Sequence, residues 1–183
     1  DALRDGDAAR GAAVFYARAM ACSTCHSLGD RPAAIGPDLT KLAPKPNDAE
    51  IVEAVLEPSK TIAKAYATVT VQTDAGLQIT GLPIEETGEK LVLRDAAQPD
   101  QIVTINKTEI ENRQDATQSL MPNGQVNQLA NREQFLDLVR VLGEISSREL
   151  FASDRDTLRI YRRWLLTRGA QDASLLVSRG LIP

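Results

Sequence analysis

The stretch Cys22-Ser23-Thr24-Cys25-His26 carries the most information in this chain. It contains the only two cysteines and the only histidine among 183 residues. Thiols and imidazoles are the side chains best suited to covalent attachment and metal ligation. Their concentration in five consecutive positions predicts that the functional site, and the fold that builds it, are organised around this segment.

The spacing within this stretch has a chemical reason. Two cysteines separated by two residues and followed at once by histidine form the attachment pattern of c-type haem. Each thiol adds to one vinyl group along one edge of the porphyrin, and the next residue then places its imidazole beneath the ring as an iron ligand. The motif therefore predicts one covalent haem c, attached at Cys22 and Cys25, with His26 as the proximal ligand.

Three other uses of these cysteines are disfavoured. A redox dithiol usually follows a strand in a βαβ setting, whereas a predicted helix precedes this motif. A structural zinc site needs four ligands, so two cysteines and one histidine fall short without a carboxylate or a partner chain. A disulfide across two intervening residues would be strained.

Composition restricts the remaining possibilities. A hydrophobic fraction of 43% indicates a globular chain, with one domain or one domain and an appendage. The sequence has no apolar run long enough to span a membrane. It also has no basic stripe with interleaved aromatic residues, which disfavours nucleic-acid binding. Residues 66–118 carry nine acidic and four basic side chains, which we interpret as a solvated β surface in preference to a docking patch.

The chain begins without Met and shows no signal peptide, as a mature form or an excised fragment would. In bacteria, haem is attached to cysteine outside the cytoplasmic membrane. We therefore expect an exported protein, located in the periplasm or otherwise outside that membrane.

Helical periodicity brackets the motif. An amphipathic helix is predicted from about Asp7 to Ala21, with Asp5 or Asp7 as its cap. A second is predicted over 47–56, with Asn47 or Asp48 as its cap, and should end before Pro58. Its apolar side is formed by Ile51, Val52, Val55 and Leu56. A third follows Asn131 and places Phe135, Leu138, Val139, Leu142 and Ile145 on one face.

Between these helices the pattern changes to β. From Tyr66 to about Glu111 the residues alternate and β-branched side chains concentrate, which predicts four or five short strands. Strands are expected over 68–73, 77–85, 91–93 and 102–105, with an irregularity at Gly81 and Pro83. After residue 147 a further helix is expected from Ser153 or Asp154 through Leu166, with its arginines in solvent or paired with the acidic segment.

Several of these features resemble class I cytochromes c. The Gly11 and Phe15 pair resembles a first helix that the last helix crosses closely. The run Gly36-Pro37-Asp38-Leu39 resembles the loop whose proline carbonyl, here that of Pro37, accepts a hydrogen bond from the ligand imidazole. The run Ser119-Leu120-Met121-Pro122-Asn123-Gly124 resembles the loop that supplies the distal methionine.

Over residues 8–146 the chain resembles the haem-binding domains of large planctomycete and verrucomicrobial proteins. That resemblance implies an α+β fold: a mainly helical cytochrome c core with an inserted small antiparallel β-sheet or barrel and a C-terminal helical extension. The implied domains are 1–146, with the β-rich insertion at about 66–118, and 147–183 as the extension or the lead-in to a further domain. It implies an electron-transfer module of a larger protein.

The sixth iron ligand can be approached by elimination. The chain has no second histidine, so bis-histidine ligation within it is impossible. Met20 lies on the segment tethered to the proximal side, whereas Met121 lies 95 residues after His26 (121 − 26) with loop on both sides. We expect Met121 to be the ligand, with a core-filling role for Met121, a lysine ligand and an open position as the alternatives.

Two classes of function follow. A haem with His26 and Met121 on its axial positions suits one-electron transfer to a redox partner protein or to an adjacent domain of a parent chain, and not enzymatic turnover. The alternative is a haem-based sensor or enzyme with a displaceable distal ligand. The chain offers no distal histidine, and none of the paired polar groups typical of peroxide chemistry is evident.

Overall fold

A computed structural model describes residues 5–28, 35–147 and 152–178, with the side chains of 152–158 and 178 outside that description. These residues form a mixed α+β fold, as predicted. The helices are α1 (Ala8–Tyr16), α2 (Cys22–Cys25), α3 (Asp48–Leu56), α4 (Arg132–Ser147), α5 (Ala152–Thr167) and α6 (Ala170–Ser178). The strands are β1 (Val69–Thr73), β2 (Gln78–Glu86), β3 (Lys90–Asp95), β4 (Ile102–Asn106) and β5 (Ile110–Asp115).

The first helix is shorter than its sequence pattern predicts. Asp7 caps α1 by accepting a hydrogen bond from the backbone N–H of Arg10. The helix ends at Tyr16 because Ala17 adopts extended backbone angles, so the prediction of a helix to Ala21 is wrong by five residues. This early end frees 17–21 to turn the chain before the cysteines.

Helix α1 packs against α4, and this pair forms the centre of the helical core. The crossing is close because Gly11 faces the backbone of Asp137, where a side chain would collide. Phe15 packs in the same core with its ring edge against Tyr16, while Phe135 contacts the core from its margin. The helical core consists of Ala12, Val14, Phe15, Met20, Leu39, Val55, Leu138, Val141 and Ile145.

The caps predicted for α3 and α4 are confirmed. Asn47 and Glu50 form a capping box at the start of α3, and Asn131 accepts a hydrogen bond from Gln134 N–H at the start of α4. The extension helix already includes Ala152, so the prediction that Ser153 or Asp154 caps it is wrong: both residues lie inside its first turn. The predicted extension helix is present as α5, and α6 follows it.

The five strands form one antiparallel sheet in the order β4-β3-β2-β1-β5. Consecutive hairpins join β1 to β4, and β5 returns to pair with β1. Of the irregularity predicted at Gly81 and Pro83, the Pro83 part is confirmed as a register shift between Pro83 and Glu85. The pairing is regular at Gly81, which lies opposite Val69 and Asp95. The buried sheet core consists of Val69, Val71, Ile79, Leu91, Leu93 and Ile105 and is separate from the helical core.

Where the contacts of the extension arginines are described, these side chains interact with other residues of the extension and not with the acidic segment 66–118. Arg163 on α5 forms a bidentate ion pair with Asp172 on α6, with Nε–Oδ2 at 2.7 Å. Arg168 lies over the ring of Trp164, 4.5 Å from its centre. Tyr161 connects the extension to α1, because its ring centre lies 6.3 Å from that of Tyr16.

Candidate functional site

A cavity of about 300 Å³ lies beside the helical core and is built from distant parts of the sequence. Segments around the cysteine motif, α3, the Met121 loop and α4 contribute its walls. All of the site residues predicted from sequence line this cavity: Cys22, Cys25, His26, Pro37 and Met121. Folding therefore brings His26 and Met121, which are 95 positions apart, to the walls of one cavity.

The cysteine motif is presented by a single helical turn. Ala21 adopts left-handed backbone angles, with φ of 51°, and starts the turn α2. The His26 N–H then donates to the carbonyl of Cys22 at 3.0 Å, which closes the turn. Because the two cysteines lie three positions apart on one turn, both thiols face the same cavity. The two cysteines form no disulfide, and both are half-buried.

Burial changes the chemistry of the first thiol. It raises the pKa of Cys22 to about 11, with a hydrogen bond lowering the value and the neighbouring Cys25 raising it further. These surroundings disfavour a charged sulfur and suit an uncharged one such as a thioether.

His26 is oriented by the loop that follows it. Its Nδ1–H donates to the carbonyl of Pro37 over 3.1 Å. In that tautomer the ring lone pair is on Nε2, which is the arrangement required of a metal-bound imidazole. Burial lowers the pKa of His26, partly offset by the Pro37 carbonyl, so the imidazole is neutral near pH 7.

Two backbone hydrogen bonds hold Pro37 beside the imidazole. Gly36 N–H donates to the carbonyl of Cys25 at 3.2 Å, and Leu39 N–H donates to that of Ser27 at 3.0 Å. A Cβ at Gly36 would lie 3.0 Å from both Cε1 and Nδ1 of His26, so glycine permits this close approach. The Gly-Pro pair thus acts as a packing surface and an acceptor for one ring.

The Met121 side chain reaches the cavity from a loop held by serine hydroxyls. Met121 N–H donates to Ser119 Oγ at 3.1 Å, and Ser119 N–H donates to Ser59 Oγ at 3.1 Å. Met121 is half-buried and packs against the helical core. The loop therefore has a defined position relative to the end of α3.

Met20 also lines the cavity, which the sequence argument did not anticipate. It is almost fully buried within the helical core, and its carbonyl accepts a hydrogen bond from Gln125 Nε2 at 2.7 Å. Its packing is that of a core residue next to the motif. Both methionines therefore lie on the cavity wall, and their roles require separate tests.

Sequence reasoning missed the roles of Ser59 and Gln125. The run Pro58-Ser59-Lys60 is part of the resemblance to the planctomycete and verrucomicrobial domains, but its spacing assigns Ser59 no role. Ser59 and Gln125 each act through a contact with a residue more than 50 positions away. The apolar walls of the cavity were easier to predict. Helical spacing assigns Ile51 and Val55 to the apolar face of α3, and both line the cavity.

The sheet contributes nothing to this cavity. Along the sequence, the residues that line the cavity stop at Tyr66 and resume at Ser119, so none of the strands over 69–115 reaches the cavity. Lysines are likewise missing from the lining within the described part of the chain. The nearby Lys60 is held by Glu53, with Nζ–Oε2 at 2.7 Å.

The residues present fit a covalently attached haem c. Two thiols, a neutral imidazole with an oriented lone pair and a thioether share one mostly apolar cavity, as such a group requires. Nowhere in the described ranges do three or more His, Cys, Asp or Glu side chains cluster in a way that could hold a metal ion alone. The donor set therefore matches an iron porphyrin better than a zinc site.

Comparison with known proteins agrees with this reading for the first part of the chain. Residues 8–86 match the family model for cytochrome c. A search of curated proteins gives no match. The match supports a cytochrome c-like haem-binding domain in this region. Domains of this family bind covalent haem c, and the single cysteine pair is consistent with one haem. Such domains are generally electron carriers. No helix in the described segments has the length and apolar character needed to cross a membrane.

Proposed function

We propose that this protein transfers single electrons through a haem c whose iron is bound by His26 and Met121. The observation that carries the proposal is that both side chains line the same cavity as Cys22 and Cys25, although His26 precedes the sheet in the sequence and Met121 follows it. The haem supplies a reversible one-electron couple, and the protein supplies attachment, orientation and exclusion of water.

On the proximal side, Cys22 and Cys25 would anchor the porphyrin edge and His26 would bind iron through Nε2. The Pro37 carbonyl fixes the ring by accepting from Nδ1–H. Such a contact increases the electron density on the ligand nitrogen and prevents ring rotation. Little rearrangement is then needed when the iron changes charge.

On the distal side, Met121 would provide a thioether. Its loop is attached through Ser119 to the end of α3, so the sulfur is carried on a defined backbone. Methionine paired with histidine raises the reduction potential of haem iron. The lack of lysine among the described lining residues supports Met121 over the lysine alternative.

We further infer that the domain is a module of a larger exported redox protein of the planctomycete or verrucomicrobial type, organised as 1–146 and 147–183. Its sheet, with its own buried core, is the insertion that this type has before the methionine loop. Its partner would be a redox protein or an adjacent domain. Cell fractionation with haem staining should place the parent protein in the periplasm, and cytoplasmic haem-stained protein would contradict the location.

Covalent attachment can be tested directly. Protein denatured in acid and organic solvent should retain its haem, because thioether bonds survive those conditions. Replacing Cys22 and Cys25 together by alanine should allow the haem to be extracted. Extraction from the unaltered protein would overturn the attachment.

The distal ligand is tested by spectroscopy of the ferric protein. Met121→Ala should remove the weak red charge-transfer band of thioether-bound iron and lower the potential. Met20→Leu is the matched control and should leave both unchanged. The reverse pattern would assign the ligand to Met20.

Carbon monoxide separates the two classes of function. An electron carrier with both axial positions filled should react slowly with carbon monoxide in the ferrous state at neutral pH. Rapid, tight binding to the native protein would instead favour a sensor or enzyme with a displaceable distal ligand.

A further inference from the structure

The two chain segments that flank the sheet meet at the hydroxyl of Ser59. This residue lies in the turn after α3, ten positions before β1 begins at Val69 (69 − 59). Its Oγ accepts a hydrogen bond from Ser119 N–H at 3.1 Å and donates a longer one to Asn123 Oδ1 at 3.5 Å. One hydroxyl thus contacts the chain on both sides of Met121.

The connection from Ser59 to Met121 is short. Ser119, whose N–H is bound by Ser59, accepts the Met121 N–H with its own hydroxyl at 3.1 Å. Two hydrogen bonds therefore link Ser59 to the Met121 backbone. Displacement of Ser59 would release Ser119, and with it the peptide that carries the Met121 thioether.

The turn that carries Ser59 is itself well fixed. Lys60 N–H donates to the carbonyl of Glu57 at 2.9 Å, and Lys60 Nζ pairs with Glu53 at 2.7 Å. Thr61 Oγ1 also donates to Glu53, at 3.0 Å. Since Glu53 is on α3, the position of Ser59 is tied to a helix that forms one wall of the cavity.

The carboxyl side of the methionine loop has a separate attachment. Gln125 Nε2 donates to the Met20 carbonyl at 2.7 Å, next to the cysteine motif. The amino-terminal side of the methionine loop follows the sheet, which packs on its own core. The strands do not reach the cavity, so they do not position this side of the loop relative to the helical core. Ser59 supplies that position.

We propose that Ser59 is a positioning residue that holds the Met121 loop closed over the cavity and so keeps the distal position filled. The proposal rests on Met121 being the distal ligand. A long insertion would otherwise leave the loop free to swing away, because the ordering of a flexible connection costs conformational entropy. The hydroxyl offsets that cost by joining the two ends of the insertion.

The test removes the hydroxyl and measures opening of the loop. In Ser59→Ala, carbon monoxide should bind the ferrous protein about fivefold to tenfold faster, which corresponds to the net contribution of one ordinary hydrogen bond, here the shorter one to Ser119. When the pH is raised, the thioether charge-transfer band of the ferric protein should also disappear at a lower pH in Ser59→Ala than in the unaltered protein. Ser59→Thr, which retains the hydroxyl, should restore both properties.

A matched control removes a similar hydroxyl elsewhere. Thr87 Oγ1 accepts the Lys90 N–H at 3.1 Å in a hairpin of the sheet, away from the cavity. Thr87→Ala should leave the carbon monoxide rate and the band unchanged. A change in this variant equal to that in Ser59→Ala would show a general loss of stability and overturn the proposal.

The two proposals fail in different ways. If the unaltered protein lacks the thioether band, Met121 ligation is wrong. If it shows the band and Ser59→Ala behaves like the unaltered protein, the positioning role is wrong while ligation stands. Should Ser59→Ala not fold, Ser119→Ala interrupts the same connection one bond later, and an unchanged rate in that variant would overturn the role of Ser59.

Discussion

Gly11 on α1 lies directly against the carbonyl oxygen of Asp137 on α4, with no room for a Cβ between them. The same aspartate binds the start of α1 with its side chain, since its carboxylate accepts from Asp7 N–H at 2.6 Å and from Arg10 Nε at 2.8 Å. Asp137 therefore fixes both the close crossing of α1 and α4 and the start of α1.

Gly11→Ala should destabilise the protein despite the higher helix propensity of alanine. The propensity gain is about 1 kcal/mol, whereas forced separation of two packed helices costs about 1–3 kcal/mol, and here the overlap is with backbone. Thermal unfolding of the haem-loaded protein should show a lower midpoint. Gly88→Ala is the control, because a Cβ there meets nothing within 4 Å; equal midpoints for the two variants would contradict the expectation.

Gly36→Ala should disturb the proximal hydrogen bond without unfolding the protein. The new Cβ would press on the His26 ring and lengthen the contact between Nδ1 and the Pro37 carbonyl. A weaker contact makes the imidazole a poorer donor to ferric iron, so the reduction potential should rise by on the order of tens of millivolts.

Potentiometric titration measures the Gly36→Ala shift. Gly143→Ala provides the control, since a Cβ there makes only ordinary contacts, the nearest at 3.7 Å. A potential that is unchanged in Gly36→Ala, or that shifts equally in both variants, would show that the close approach of Gly36 to His26 has no effect on the iron.

Replacing Lys90 and Lys107 by glutamine should not alter the haem spectrum. Both lysines form ion pairs on the sheet, Lys90 with Glu85 at 2.8 Å and Lys107 with Glu86 at 2.7 Å, and neither lines the cavity. Absorption spectra of both oxidation states give the comparison. A changed ferric spectrum would revive lysine ligation by the insertion.

The contact between α5 and α6 should weaken in acid. The hydrogen-bonded Arg163 guanidinium lowers the pKa of Asp172, despite burial of the carboxylate. A lowered pKa stabilises the fold above the ordinary value of 3.8, and this contribution is lost as the pH falls through the folded-state pKa. Below about pH 4, fluorescence of Trp164, the only tryptophan, should therefore change.

Asp172→Asn should already show that altered fluorescence at neutral pH. Asp74→Asn, at an exposed turn of the sheet, should behave like the unaltered protein. If Asp172→Asn keeps the original signal and its acid transition, the pair with Arg163 does not stabilise this contact.

The sequence alone was sufficient for the local features. The cysteine and histidine spacing predicts the haem because it is a property of five adjacent residues, and the caps Asn47 and Asn131 act within three positions. The strands β1 to β4 and the irregularity at Pro83 also follow from local alternation and from the missing N–H of proline, whereas β5 was not assigned from its sequence. In each case the interacting groups are neighbours in the chain.

Tertiary structure decided what depends on distant contacts. The sequence did not show that α1 ends at Tyr16, that Met20 shares the cavity with Met121, or that Arg163 pairs with Asp172. Nor did it show that Ser59 joins the two ends of the sheet insertion. Residue type and spacing limit what a side chain can do, but burial and hydrogen bonding across long separations in sequence determine which of these possibilities is realised, because those energies exist only once the chain has folded.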